Sequence, residues 1–173
     1  MLVAVLGAAT ANAQFSLGLN GGVLIPTEDG IGTGFGGAIS GEYLLNPNIG
    51  VGLSFGYYSL EKFKMEESGI SIEFTPTVMP ITLTGRYYFL TEELRPYGGV
   101  DVGFYSLGLR SKVMGISVSD SESHFGCAPV VGLQYGLTNA LALDVNAKYH
   151  LVFADETNGF IGFNLGLVYT FGK

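Results

Sequence analysis

Five charged residues within predicted β-strands carry the chemistry that this sequence is most able to perform. They are Glu42, Arg86, Asp101, Asp144 and Lys148. Acids and bases that share a confined interior could relay protons or select ions. They could instead form a salt-bridge network that holds the fold closed. We favour this structural role, because an unpaired charge is costly in a low dielectric.

The expected order of the strands gives the simplest pairing of these charges. Arg86 would meet Asp101 on the adjacent strand, and Lys148 would meet Asp144 or Glu42. One carboxylate would then remain, and it could bind water or a cation.

A hydroxyl nucleophile activated by histidine is the other chemistry that the residue types allow. The chain has two histidines, His124 and His150. His124 follows the serine-rich residues 117–123, where a Ser next to a His is expected by chance. His150 is followed by Leu151 and Val152 instead of the His-x-Ser spacing of lipid A deacylases. We therefore predict no catalytic residue, and the absence of metal-ligand spacing predicts no metal or cofactor site.

The composition is unusual for a soluble domain of 173 residues. Only 13% of the residues are charged, and the mean hydropathy is +0.38. Even so, the sequence has no run of about 18 apolar residues that would make a membrane-spanning helix. The net charge of −7 argues against nucleic acid as a partner, because phosphate binding needs a basic surface.

Apolar residues alternate with small or polar ones along most of the chain, which predicts β-strands. In the third strand, for example, Val51, Leu53 and Phe55 alternate with Gly52 and Ser54. Turn residues separate the predicted strands, which cover residues 15–25, 34–44, 49–57, 74–89, 100–105, 131–136, 143–151 and 161–171.

Two features of these strands predict that they lie in lipid. All five charged residues fall on the small or polar face, as lipid contact requires, because a charge at the bilayer midplane costs about 2–4 kcal/mol. Short connections also alternate with the long, charged segments 61–73 and 110–124, as in bacterial outer-membrane barrels. The short connections are Asn46-Pro47-Asn48, Thr91-Glu92-Glu93 and Thr138-Asn139.

The predicted fold is therefore all-β: an eight-stranded antiparallel transmembrane up-and-down β-barrel. Closure is required because the edges of an open sheet would be unsatisfied in lipid. The alternative is a soluble barrel of the lipocalin kind, with the apolar face inside around a ligand. We prefer the membrane barrel, since glycines and charges would make a poor core.

The first residues resemble the end of an export signal. An apolar stretch is followed by Ala11-Asn12-Ala13, a small-x-small cleavage pattern. We assign residues 1–13 to a remnant of a signal peptide and residues 14–173 to the barrel domain.

Beyond this pattern, the sequence resembles the OmpA/OmpX-like β-barrel proteins, which are often grouped as the porin family. The resemblance is carried by residues 81–89 (ITLTGRYYF), residues 95–100 (RPYGGV) and the closing residues 168–171 (VYTF). It implies a place in the outer membrane of a Gram-negative type of cell envelope. The implied partners are outer-membrane lipids, including lipopolysaccharide, and the barrel-assembly machinery. That machinery reads a terminal aromatic residue, whereas this chain adds Gly172 and Lys173 after Phe171.

The function predicted from the sequence is a non-enzymatic structural or surface-interaction role. In segments 61–73 and 110–124 charged residues alternate with Ile and Val, which predicts hairpins that extend the strands above the membrane. Protruding strand edges can bind a surface partner by strand addition. The second hypothesis is a narrow pore for small solutes or ions, and the third is an enzyme that modifies lipid A.

Overall fold

A computed structural model of the chain describes residues 14–28, 32–67, 70–113, 116–154 and 157–172. The predicted signal remnant, residues 1–13, lies outside these ranges. The strands are β1 (Gln14–Pro26), β2 (Gly34–Asn46), β3 (Ile49–Leu60), β4 (Phe63–Glu67), β5 (Ile70–Tyr88), β6 (Leu94–Val113), β7 (Ile116–Gly136), β8 (Leu141–Phe153) and β9 (Thr157–Phe171). No helix in the described part of the chain is long and apolar enough to cross a membrane.

The strands form one antiparallel sheet that closes on itself. Their order is β3-β2-β1-β9-β8-β7-β6-β5-β4, and a direct pairing of β3 with β5 closes the barrel. Eight strands make the barrel, as predicted, because β4 pairs only with the far end of β5. The additional strand β4 lies in segment 61–73, which the sequence predicts as a connection between barrel strands.

The two faces of the barrel wall separate apolar from polar side chains. Leu19 is 66% exposed and Val131 is 65% exposed on the outside of the barrel, where a bilayer would cover them. The inward face carries the small residues, the polar residues and the five charges, together with two apolar clusters, so the predicted inward position of the charges is confirmed. The barrel therefore carries its large apolar surface outside, which is the requirement for lipid contact.

Aromatic residues gather at the two ends of this apolar surface. We call the end with the short turns the periplasmic end and the opposite end the outer end, following the arrangement of bacterial barrels. The periplasmic ring includes the stacked pair Phe15 and Phe171, whose centroids are 5.9 Å apart. At the outer end Phe125 lies between Phe104 and Phe153. Such girdles mark the membrane–water interfaces.

The interior holds two apolar clusters, one toward each end. The periplasmic cluster consists of Leu44, Tyr88, Tyr97 and Val130. The outer cluster consists of Leu24, Tyr58, Leu60, Val78, Tyr105, Val152 and Phe160. Inward glycines make room for the aromatic rings: a β-carbon at Gly132 would collide with the ring of Tyr97, and one at Gly126 with that of Tyr105. The glycines are thus a packing device for the interior tyrosines.

Candidate functional site: the charged interior and the projecting sheet

All five charged residues named from the sequence are buried inside the barrel. Asp101 is only 1% exposed and Asp144 only 4%. Two ion pairs form among them: Lys148 Nζ lies 2.6 Å from Asp101 Oδ2, and Arg86 Nη1 lies 3.5 Å from Glu42 Oε2. The predicted pairing of Arg86 with Asp101, and of Lys148 with Asp144 or Glu42, was therefore wrong.

The observed pairs differ from the predicted ones because each ion pair spans a strand that lies between its partners. Arg86 on β5 reaches Glu42 on β2 across β3, where Gly50 is the register partner of Arg86. A β-carbon at Gly50 would lie 2.7 Å from Cδ of Glu42 and would obstruct the contact. The prediction for Arg86 assumed a partner on an adjacent strand, whereas the observed partner lies two strands away.

The second ion pair uses a small residue in the same way. Lys148 on β8 reaches Asp101 on β6 across β7. The register partner of Asp101 on β7 is Ala128, whose side chain is fully buried. A larger residue there would stand between the two charges.

Asp144 is the carboxylate left without a cation, and neutral donors satisfy it. The hydroxyl of Tyr97 donates to Asp144 Oδ1 at 3.0 Å, and Asn146 Nδ2 donates to Oδ2 at 2.6 Å. Asn164 Nδ2 in turn donates to Asn146 Oδ1 at 3.0 Å, and the hydroxyl of Tyr58 donates to Asn164 Oδ1 at 2.9 Å. A continuous polar chain therefore joins the two apolar clusters.

Tyrosines also support the Arg86–Glu42 pair. The hydroxyl of Tyr88 donates to Glu42 Oε1 at 2.6 Å, and the Arg86 guanidinium lies 5.2 Å from the ring centroid of Tyr97. Sequence reasoning missed the roles of these tyrosines. Strand parity could have found Tyr88, because it lies two positions after Arg86 and so on the same inward face.

The two histidines have partners other than serine. His150 is buried, and its Nδ1 lies 2.9 Å from the hydroxyl of Tyr105 inside the barrel. His124 lies near the surface, with Nε2 3.5 Å from Glu122 Oε2. Among the described residues, no group of three or more His, Cys, Asp or Glu is placed to hold a metal ion.

A second candidate site is a sheet that projects from the outer end. Strand β7 pairs with β8 only as far as Phe125 and Phe153, while its pairing with β6 continues to Val113 and Ile116. From Phe104 at the girdle to Val113 at the tip, β6 extends about 30 Å, at about 3.3 Å per residue. The prediction that the long segments extend the strands as hairpins is confirmed.

This projecting sheet comprises β4 and the outer ends of β5, β6 and β7. Its strands pair in that order, with β4 at one side and residues 116–124 of β7 at the other. No strand of the described part of the chain pairs with residues 116–124 on the side away from β6. Residues 120–123 of this edge are exposed.

Comparison with known families and structures agrees with this geometry. A family described as outer membrane protein beta-barrel domain matches residues 1–171. A comparison with curated proteins found no match.

Solved outer-membrane proteins share the fold at low sequence identity. Ail, the attachment invasion locus protein of Yersinia pestis, is 22% identical and has a TM-score of 0.61, with 92% of this chain and 97% of that one covered. OprG from Pseudomonas aeruginosa is 14% identical, with a TM-score of 0.63 and coverages of 93% and 97%. A major outer membrane protein from Thermus thermophilus is 14% identical, with a TM-score of 0.67 and coverages of 92% and 100%.

Proposed function

This chain belongs to the outer membrane protein beta-barrel domain family, and we propose that it is a non-enzymatic surface-interaction protein whose projecting sheet binds a partner. The observation that carries the proposal is the free edge of β7, residues 116–124, which extends beyond the pairing of β7 with β8. An unpaired edge offers a row of backbone donors and acceptors to an incoming strand. Partner binding by strand addition uses those groups for affinity and side chains for specificity.

The charge on this edge favours a partner with basic side chains. Asp120 and Glu122 are both exposed, and the side chain of Glu122 is 78% accessible. Alternate residues of a strand share a face, so these two carboxylates lie on one face of the sheet. A partner strand with Lys or Arg at alternate positions would complement them.

The interior supports a structural role for the barrel and not a pore. The two apolar clusters contain four interior tyrosines, Tyr58, Tyr88, Tyr97 and Tyr105, each at most 3% exposed. Barrels of eight strands have an interior just wide enough for side chains to fill it. We propose that the five charged residues hold this interior closed through the two ion pairs and through the hydrogen bonds that Asp144 accepts.

Two further parts of the proposal follow from the family and the outer surface. Lipids, including lipopolysaccharide, surround the apolar belt, and the barrel-assembly machinery inserts the chain. The comparison with Ail, a protein named for attachment, supports a surface role through likeness of fold alone. His150 contacts a tyrosine and His124 contacts a carboxylate, and these partners favour a non-enzymatic protein over one that modifies lipid A.

Strand addition can be tested with a short peptide of alternating Lys and Val. The protein is reconstituted in lipid vesicles so that the outer end of the barrel faces the external solution, and peptide binding to these vesicles is measured. We expect binding by the unmodified peptide and none by the same peptide with methylated backbone nitrogens, which cannot donate to the edge. Equal binding of the two peptides would contradict strand addition.

A deletion variant tests whether the peptide binds at the hairpin formed by the outer ends of β6 and β7. Removal of residues 112–121 shortens β6 and β7 above the girdle and leaves the barrel strands intact. We expect this variant to keep a heat-dependent shift in gel mobility, which reports a closed barrel, and to lose binding of the peptide. Unchanged peptide binding by a correctly folded deletion variant would exclude this hairpin as the interaction surface.

A further inference from the structure

The periplasmic end of the barrel contains a cavity of about 590 Å³ that the proposed surface role does not use. Its walls come from the turn after β5, the turn after β7 and the last residues of β9. Backbone hydrogen bonds hold these walls together: Gly136 N donates to Glu93 O at 2.8 Å, and Thr170 N donates to Ala140 O at 2.7 Å. We call this cavity the vestibule, and its size falls within the range of small-molecule sites.

Arg95 is the cation of the vestibule, and it is held in place without a counter-ion. Its guanidinium lies 4.2 Å from the ring centroid of Tyr88, and Nη2 donates to the carbonyl of Pro47 at 3.5 Å. Its Nε is buried and has no hydrogen-bond partner among the residues that the structure describes. Within the described residues no carboxylate lies within 4 Å of it, so the guanidinium has no ion pair and its terminal Nη groups are available to an anion.

The neutral lining adds polar groups of the kind that orient a ligand. Gln134 forms part of the wall and is only 3% exposed, and Thr91, Thr138 and Thr170 also line the cavity. Thr170 lies 2.9 Å from Ser16 through their hydroxyl oxygens, which fixes its position. Amide and hydroxyl groups around one guanidinium match a carboxylate attached to a peptide backbone.

Two carboxylates also line the vestibule, and they restrict the ligand. Glu93 is engaged by the hydroxyl of Tyr135 on the outside of the barrel. Glu92 has no such partner among the described residues, is exposed at the opening, and would attract an ammonium group while repelling a second carboxylate. We infer that the vestibule binds a short peptide with one free carboxylate at Arg95 and a free amino group near Glu92.

Dipeptide binding to the full chain in detergent micelles tests this inference. The probes are Ala-Ala, its carboxyl-terminal amide and its N-acetyl derivative, and binding is followed by calorimetry and by backbone amide NMR shifts. We expect Ala-Ala to bind and to shift the amides of Gly136 and Thr138. The amide should bind at least about tenfold more weakly, because it loses a charge-assisted hydrogen bond. Equal binding of Ala-Ala and its amide would overturn the proposal.

Variants at Arg95 separate a specific site from general adsorption. Arg95→Gln should weaken Ala-Ala binding by about tenfold or more, and Arg95→Lys should weaken it less, since the charge remains and the planar donor is lost. Lys62→Gln makes the same charge change on an exposed residue at the outer end and should leave binding unchanged. The heat-dependent gel shift checks that each variant is folded. Unchanged binding in a folded Arg95→Gln variant would refute the site.

Two sources could supply such a peptide in the periplasm, and a further probe distinguishes them. One is a free peptide, and the other is a stem peptide that remains attached to its cell-wall sugar. Binding of the sugar-linked stem peptide with the same dependence on Arg95 would identify the cell wall as the source. Binding of the free dipeptide alone would identify soluble peptides, and binding of neither would overturn the inference.

Discussion

Lys148 and Asp101 form a 2.6 Å ion pair across an intervening strand, over the small side chain of Ala128. Both partners are almost fully inaccessible, with side-chain exposures of 8% and 2%. Loss of either partner would leave a buried charge without its counter-ion. Such losses cost about 3–5 kcal/mol, more than the net contribution of the intact pair.

We therefore predict that Lys148→Met destabilises the barrel by about 3–5 kcal/mol. The double variant Lys148→Met with Asp101→Leu should recover most of this loss, because it leaves neither charge unpaired. The free energy of unfolding in urea, measured in lipid vesicles, checks both expectations. If the double variant is less stable than the single one, the two residues do not act as a pair.

Ala128 should also be sensitive to substitution, because its small side chain lets Lys148 reach Asp101. Ala128→Leu is expected to destabilise the barrel by about 1–3 kcal/mol, because it overfills the interior and pushes Lys148 away from Asp101. Ala128→Gly provides the control, since it leaves the path between the charges open. Equal losses from the two substitutions, in the same unfolding experiment, would show that the backbone and not the ion pair is affected.

The hydrogen bond from Tyr97 to Asp144 should contribute measurably to stability. Tyr97→Phe keeps the ring in the periplasmic cluster and removes the donor to a buried carboxylate, with an expected loss of about 1–3 kcal/mol. In an Asp144→Asn background the same substitution should cost less, because the acceptor is no longer charged. A double-mutant cycle measures the coupling, and additive losses would contradict a direct interaction.

Purified protein in planar bilayers should show no steady conductance, because the two apolar clusters close the interior. Replacing Tyr88 in one cluster and Tyr105 in the other with Ser should open a water path and produce conductance. Either single variant leaves one cluster intact and should remain closed. Conductance by the wild-type protein would favour the narrow-pore hypothesis.

The lipid-facing surface should tolerate charge only near its ends. Leu19→Arg places a charge on the exposed middle of β1 and is expected to cost about 2–4 kcal/mol in a bilayer. Leu45→Arg places the same charge beside the turn after β2, where the cost falls to about 0–1 kcal/mol. Both leucines are exposed in the protein, at 66% and 55%. Equal unfolding free energies for the two variants would contradict the bilayer position.

Strand parity explains why the fold could be predicted from the sequence. The charged residues alternate with neighbours that face the other way, as with Asp101 between Val100 and Val102. Because successive side chains of a strand point to opposite faces, the sequence alone assigns each residue to one face of the wall. The membrane setting then determines which face points inward, because a charge that faced the hydrocarbon would be costly.

The partners of those charges could not be predicted in the same way. Parity shows that Arg86 points inward, but its contact with Glu42 depends on Gly50 in the strand between them. The turn lengths, the register and the curvature of the wall jointly set that geometry. Similarly, alternation of charge in segment 61–73 indicated a hairpin, whereas the separate strand β4 depends on pairing with the end of β5.

The ion pairs that skip a strand make the barrel sensitive to its own curvature. Neighbouring strands lie about 4.8 Å apart, so residues two strands apart in a flat sheet would be separated by nearly 10 Å. A wall that bends inward makes the side chains of Glu42 and Arg86, and those of Asp101 and Lys148, converge inside the barrel. In a flat sheet with the same strand pairing these side chains would run parallel, and each pair would meet only with its side chains fully extended. The two ion pairs therefore favour a closed barrel over an open sheet of the same register.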